Sequence, residues 1–229
     1  YKLLNEILKQ GKEDEFDIKI SGVDELTLRM DSIMAESCNT SFQMHLQINS
    51  EESVENYNWS QIIAGPILSA CVNSPLLLGR TLWAETRIAL FQQTVDSRNS
   101  LLLLNDQRPR VTFGYDWIEE NITEIFKNDV AHYPLLITSP IDEDSLEKIK
   151  CGENSELKAL ALHNGNIYKW NRLCYGITGD KPHLRIENRY IPSGPTIIDE
   201  VANFAFWVGV MKAMPDHYEA VKGTTAYKS

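Results

Sequence analysis

The stretch that most constrains this chain runs from His183 to Trp207, HLRIENRYIPSGPTIIDEVANFAFW. Alternate side chains of a strand point to the same face. Arg185, Glu187 and Arg189 therefore share one face, and Leu184, Ile186 and Tyr190 share the other, where Asn188 interrupts the apolar row. This is the alternation of a strand packed on a core through one face only. The charged face must be wet or hold a ligand, and a plain surface charge ladder has the same pattern. Beyond Tyr190 a Pro/Gly turn leads into an apolar helix, with Pro195 suited to its first turn.

Ser41 to Asn49 alternates in the same way, with Gln43, His45 and Gln47 on one face and Phe42, Met44, Leu46 and Ile48 on the other. His163-Asn164-Gly165-Asn166 reads as a hairpin turn through its Asn-Gly pair, followed by a strand from Ile167 to Arg172. The short Gly176 to Pro182 loop then returns the chain antiparallel beside the Glu187 strand. Helices are expected over Lys2 to Gln10, from Ser50 to about Ala70 with a kink at Gly65-Pro66, over Leu82 to Gln93, over Trp117 to Asn128, and over Asp142 to Ile149 behind an Asp142 or Asp144 cap. The expected class is α+β: an antiparallel sheet with a polar concave face and helices packed on the other face. Residues 1–229 carry no linker or repeat that would divide them, so we expect a single domain.

A net charge of −10 opposes binding to nucleic acid, which needs clustered Lys and Arg. No apolar run is long enough to span a bilayer, so no membrane partner is expected. Cys38, Cys71, Cys151 and Cys174 show no CxxC spacing. They read as reduced thiols of a cytoplasmic protein. The five histidines form no HxH or HExxH pair, which removes a zinc hydrolase.

The Glu187 strand resembles the C-terminal signature of the glutamate-cysteine ligase and carboxylate-amine ligase family, whose strand carries Glu-x-Arg. Three more blocks occur in the family's order: SFQMHLQI (Ser41 to Ile48), NSPLLLGRTLWAETRIALFQ (Asn73 to Gln92) and HNGNIYKWNR (His163 to Arg172). The resemblance implies a cup related to the glutamine synthetase catalytic fold and an ATP-dependent ligase. In that chemistry the side-chain carboxylate of glutamate is phosphorylated, and an amine such as that of cysteine attacks the acyl phosphate. ATP and Mg²⁺ are the implied cofactors. By the same resemblance Glu187, Gln43 and His45 are metal ligands, and Arg189 is the catalytic charge stabiliser. Arg87 would hold the substrate carboxylate, with Trp83 one helical turn earlier as a pocket wall and Trp170 and Arg172 also on the substrate.

Two departures bear on that reading. Asn171 stands where the family has an acid, and Arg172 sits one place early in the Trp-Asp-x-Arg pattern. Gly11, Glu13, Glu15 and Phe16 mimic the family's GxExEF acidic strand but lie too close to the following block. The chain is therefore expected to be the central to C-terminal part of a larger ligase catalytic domain, without turnover by itself. The alternative is a non-catalytic relative that binds a nucleotide or amino acid.

Overall fold

The computed structural model describes residues 2–10, 16–96, 98 and 108–224. Glu13 and Glu15 lie outside the described residues. In chain order the elements are α1 (Lys2–Gln10), β1 (Phe16–Ser21), β2 (Glu25–Met30), a 3₁₀ turn (Ile33–Cys38), β3 (Met44–Ile48), α2 (Ser53–Ile62), α3 (Ala64–Cys71), β4 (Leu76–Leu77), β5 (Arg80–Thr81), α4 (Thr86–Thr94), α5 (Thr123–His132), α6 (Ser145–Lys150), α7 (Lys158–Gly165), β6 (Asn171–Thr178), β7 (Lys181–Asn188), α8 (Ile197–Lys212) and α9 (Tyr218–Thr224). The class is α+β with antiparallel sheets, as expected.

The sheet that matters for function has the order β3-β7-β6, antiparallel throughout. Its register sets Leu46, Ile186 and Leu173 in one row and Met44, Asn188 and Asn171 in another. These side chains belong to the face that packs on helices. Met44, Leu173 and Ile186 join Tyr57, Ile63 and Ile67 of α2, its end and α3, and Trp207 and Met211 of α8, in the largest core cluster. Trp59 donates its indole N–H to the Val210 carbonyl at 2.9 Å, tying α2 to α8. No described helix is long and apolar enough to cross a membrane.

The expected hairpin at Asn164-Gly165 is a correction. Those residues end α7, with Asn166 as the C-cap. The Lys-Ala-Leu-Ala-Leu run before them consists of strong helix formers, and Asn164 and Gly165 lack the positive φ that a two-residue hairpin turn needs. The β6–β7 turn instead lies at Gly179-Asp180, with φ of 54° and 60°. Positive φ at both central residues is the type I′ geometry that matches strand twist. Pro182 is tolerated in β7 because β3 pairs only with Leu184 to Asn188, so on that side Pro182 lies past the end of β3.

Three helix boundaries also shift. The break between α2 and α3 falls at Ile63, and Pro66 sits in the first turn of α3, where its missing N–H costs little. The helix expected from Leu82 begins at Thr86, because the backbone of Leu82 and Thr86 bonds to Pro75 and Ser74 instead. The one expected from Trp117 begins at Thr123, since the Glu124 carboxylate accepts the N–H groups of Glu119, Glu120 and Asn121 and Asn58 accepts that of Ile118. At α8 the cap is Thr196, in a capping box with Asp199, and Pro195 precedes it.

Asp144 caps α6 as expected, accepting from Leu146 and Glu147. Its neighbour Glu143 accepts from Ser155 Oγ at 2.6 Å, Ser145 Oγ at 2.9 Å and Lys148 Nζ at 3.0 Å. Hydrogen bonds from Ser155 and then Lys148 hold its carboxyl down at about 2. A depressed carboxylate stabilises the fold fully above its unfolded value near 4.3 and loses that contribution as pH falls toward the folded value. Between roughly pH 4.5 and 2, Glu143→Gln should therefore melt with a shallower pH dependence than the parent. Identical slopes over that window would show that the carboxylate contributes nothing.

Candidate functional site

His45, Glu187 and Arg172 are register partners on three adjacent strands. That register puts them on the face opposite the core, in one row across the sheet. Arg172 Nε donates to Glu187 Oε2 at 2.6 Å, and Cys174 Sγ lies 3.6 Å from the same oxygen. Glu187 Oε1 is 3.7 Å from His45 Nε2 and 3.8 Å from Arg189 Nε, beyond hydrogen-bond range. One carboxylate oxygen is thus pinned and the other faces two nitrogens without bonding either.

Glu187 is only 2% exposed, and burial by itself would push its carboxyl up. The charge and hydrogen bond of Arg172, followed by Arg189 and His45, outweigh that and hold it below the usual carboxylate range. His45 shifts down: burial, only partly offset by Glu187, is reinforced by Arg185, Arg172 and Arg189. The imidazole is therefore neutral near pH 7 and free to use a ring lone pair.

On one side of the row Glu36, Gln43, Arg87, Phe91, Trp170 and Arg189 line a small cleft. Arg87 is 5% exposed. Its Nη1 donates to Glu85 Oε1 at 3.0 Å and to the Tyr190 carbonyl at 3.1 Å, and its guanidinium lies 6.0 Å from the Trp170 ring centre. Glu85 precedes α4 as its N-cap, so the helical spacing that would keep residues i and i+2 apart does not apply. The Nε groups of Arg87 and Arg189 are both buried without a hydrogen-bond acceptor. A buried unpaired donor costs about 1–3 kcal/mol, more when charged, and both of these arginines line this cleft.

On the other side, an open cleft of about 180 Å³ separates the sheet from α7, with Arg172, Cys174, Tyr175 and Arg185 along the sheet. Among the described residues no group of three or more His, Cys, Asp or Glu side chains is placed to hold a metal ion. The open Glu187 oxygen with neutral His45 beside it is a two-donor set. The carboxylate oxygen fits a hard divalent cation of the kind that uses one or two carboxylates and fills its other positions with water and ligand phosphate, and the imidazole is the softer donor of the two.

The structure brings Glu187, His45, Arg172 and Arg189 together, and sets Gln43, Arg87 and Trp170 in the adjoining cleft with Arg189. Asn171 is fully buried on the core face, donating to the Ser60 carbonyl at 2.9 Å. Trp83 is placed elsewhere: it lies before α4, is 45% exposed, and donates its indole N–H to the Ser21 carbonyl at 2.8 Å. It lines neither cleft. Sequence reasoning missed Glu85 as the partner of Arg87, and gave no role to Arg185 or Cys174, whose shared parity with Glu187 and Arg172 was the available signal.

Residues 15–227 match the family model described as glutamate-cysteine ligase family 2 (GCS2). No curated protein and no solved structure matches the chain.

Proposed function

The chain belongs to glutamate-cysteine ligase family 2, and from that membership we propose that it forms the nucleotide and amino-acid site of an ATP-dependent ligase joining glutamate to an amine such as cysteine. In the proposed reaction a side-chain carboxylate oxygen of glutamate attacks the γ-phosphorus of ATP and ADP leaves. The amine nitrogen then attacks the acyl carbon, phosphate leaves, and the amine gives up a proton. The observation that carries this reading is the pair of buried guanidinium N–H groups without acceptors beside the half-open Glu187 carboxylate.

Each residue has a role derived from its surroundings. Glu187 Oε1, with His45, would hold Mg²⁺, which when bound supplies charge neutralisation between phosphate oxygens. Arg172 positions Glu187 by fixing Oε2. Arg189 offers its buried Nε to negative charge on the transferring phosphoryl group. Arg87 has spent Nη1 internally and offers Nε to a carboxylate, with Trp170 as a rigid wall and Gln43 beside it. The four cysteines are all free thiols, two of them exposed, which supports a cytoplasmic setting.

One observation favours binding without turnover for residues 1–229 alone. Among the described residues Glu187 is the single carboxylate of the row, whereas phosphoryl transfer commonly uses ions on both sides of the reacting phosphate. We therefore expect this chain to bind MgATP and glutamate but to release no phosphate. Hydroxylamine can replace the amine, so that an acyl phosphate would be trapped as a hydroxamate. Phosphate release that requires glutamate and cysteine would refute the inactivity, and failure to bind MgATP would remove the ligase-site reading itself.

A further inference from the structure

We propose that His183 is a positioning residue that holds the Arg185 guanidinium over Gly176, making Arg185 the partner of Arg172 in an oxyanion pair at the cleft facing α7. The proposal rests on the nucleotide reading above and names the oxyanion as a phosphate of that nucleotide.

Arg185 Nη1 lies 2.7 Å from His183 Nε2. A guanidinium only donates and stays charged, so Nε2 is the acceptor, and the ring proton belongs on Nδ1. Arg185 has no carboxylate partner among the described residues: its bonded neighbour is a neutral imidazole nitrogen. That is unusual economy in a chain with 32 acidic residues and a net charge of −10. The three other arginines beside the two clefts, Arg87, Arg172 and Arg189, each have a glutamate within 4 Å. Arg185 is thus fixed in direction but left with its charge unneutralised, which is what a site for an incoming anion requires.

Gly176 shows that this direction is built in. It pairs with His183 across the β6–β7 ladder. A Cβ there would meet Arg185 Nη1 at 2.8 Å and His183 Cε1 at 3.2 Å. Gly176 does not have positive φ, unlike Gly179 in the turn, so the backbone does not demand a glycine. Within a strand a glycine weakens the element and marks a close approach; here the approaching group is the Arg185 head. The cleft beside it is lined by Leu157, Leu160 and Ala161, with Glu156 and Asn164, opposite Arg172 and Arg185; the apolar part of that wall suits a nucleotide base, and the two cations its phosphates.

The test is calorimetric titration of residues 1–229 with MgATP and, separately, with inorganic triphosphate. His183→Ala should weaken both by about tenfold, the scale of one charge-assisted hydrogen bond. Arg185→Met should do the same, and the double variant should be no worse than Arg185→Met, because His183 acts only through Arg185. His183→Gln should recover most of the affinity, since an amide oxygen can accept from Arg185. Gly176→Ala should resemble His183→Ala; if it fails to fold, the two histidine variants still decide. Parent-like affinity in His183→Ala, or losses that add in the double variant, would overturn the positioning role and leave the nucleotide reading standing. If the parent chain binds neither probe, the nucleotide reading falls and takes this proposal with it.

Discussion

Glu187→Gln should lower MgATP affinity by at least tenfold while leaving binding of metal-free ATP unchanged or tighter. The two outcomes have opposite signs for a physical reason. With Mg²⁺ present, the variant loses its anionic hard donor at the row, because among the described residues Glu187 is the carboxylate within 4 Å of His45, Arg172 and Arg189. Without the metal, that carboxylate repels phosphate, and its removal leaves Arg172 and Arg189 uncompensated. The same substitution should cost about 3 kcal/mol of stability, at the low end for breaking a buried pair because the amide can still accept from Arg172. In a chain of this length that is a fall in Tm of roughly 10 °C. A surface charge ladder predicts about 0–1 kcal/mol and no change with either form of ATP. Equal loss of affinity with and without Mg²⁺ would remove Glu187 as a metal ligand.

Arg87→Met should destabilise the fold by about 3–5 kcal/mol, because it strands the Glu85 carboxylate, 6% exposed, without its cation. Burial pushes the Arg87 guanidinium below its ordinary value and Glu85 opposes that shift, yet arginine remains protonated in proteins. Replacing both partners, Glu85→Gln with Arg87→Met, should recover much of the loss, since a buried pair exchanged for groups of similar shape is often close to neutral. The double-mutant cycle also separates two roles. If Arg87 is structural only, the double variant should bind glutamate like the parent. If its free Nε holds a carboxylate, glutamate binding should fall by about tenfold in the double variant despite the recovered stability. Single variants that each cost under about 1 kcal/mol would mean the buried pair is not formed in solution.

The polar face was legible because it depends on parity alone. In Leu184 to Tyr190 and Phe42 to Ile48 the alternation assigns each residue to a face, and the structure keeps every assignment: Met44 and Ile186 are in the core while His45 and Glu187 meet on the other side. Helix ends were less legible. Backbone N–H groups of Leu82, Thr86 and Ile118 are satisfied by distant partners, at Pro75, Ser74 and Asn58, and no local propensity encodes those bonds. The Asn164-Gly165 pair misled because the helix formers before it carry α7 through both residues.

What the sequence by itself determined is therefore the family, the α+β class and the identity of the face that carries Glu187, since each rests on residue order and period. Which side chains meet on that face was decided only by the tertiary structure. Arg172 sits one place early for the family pattern, yet the β6–β7 register sets it opposite Glu187 and its Nε bonds the carboxylate. Arg87 finds Glu85 and the Tyr190 carbonyl because the chain turns at Glu85 and β7 ends beside it. The β6–β7 register follows from the Gly179-Asp180 turn, whereas the placement of β3 beside β7 and of the Tyr190 carbonyl beside Arg87 depends on contacts between segments far apart in the chain. The charges were written in the chain, and their partners were chosen by the fold.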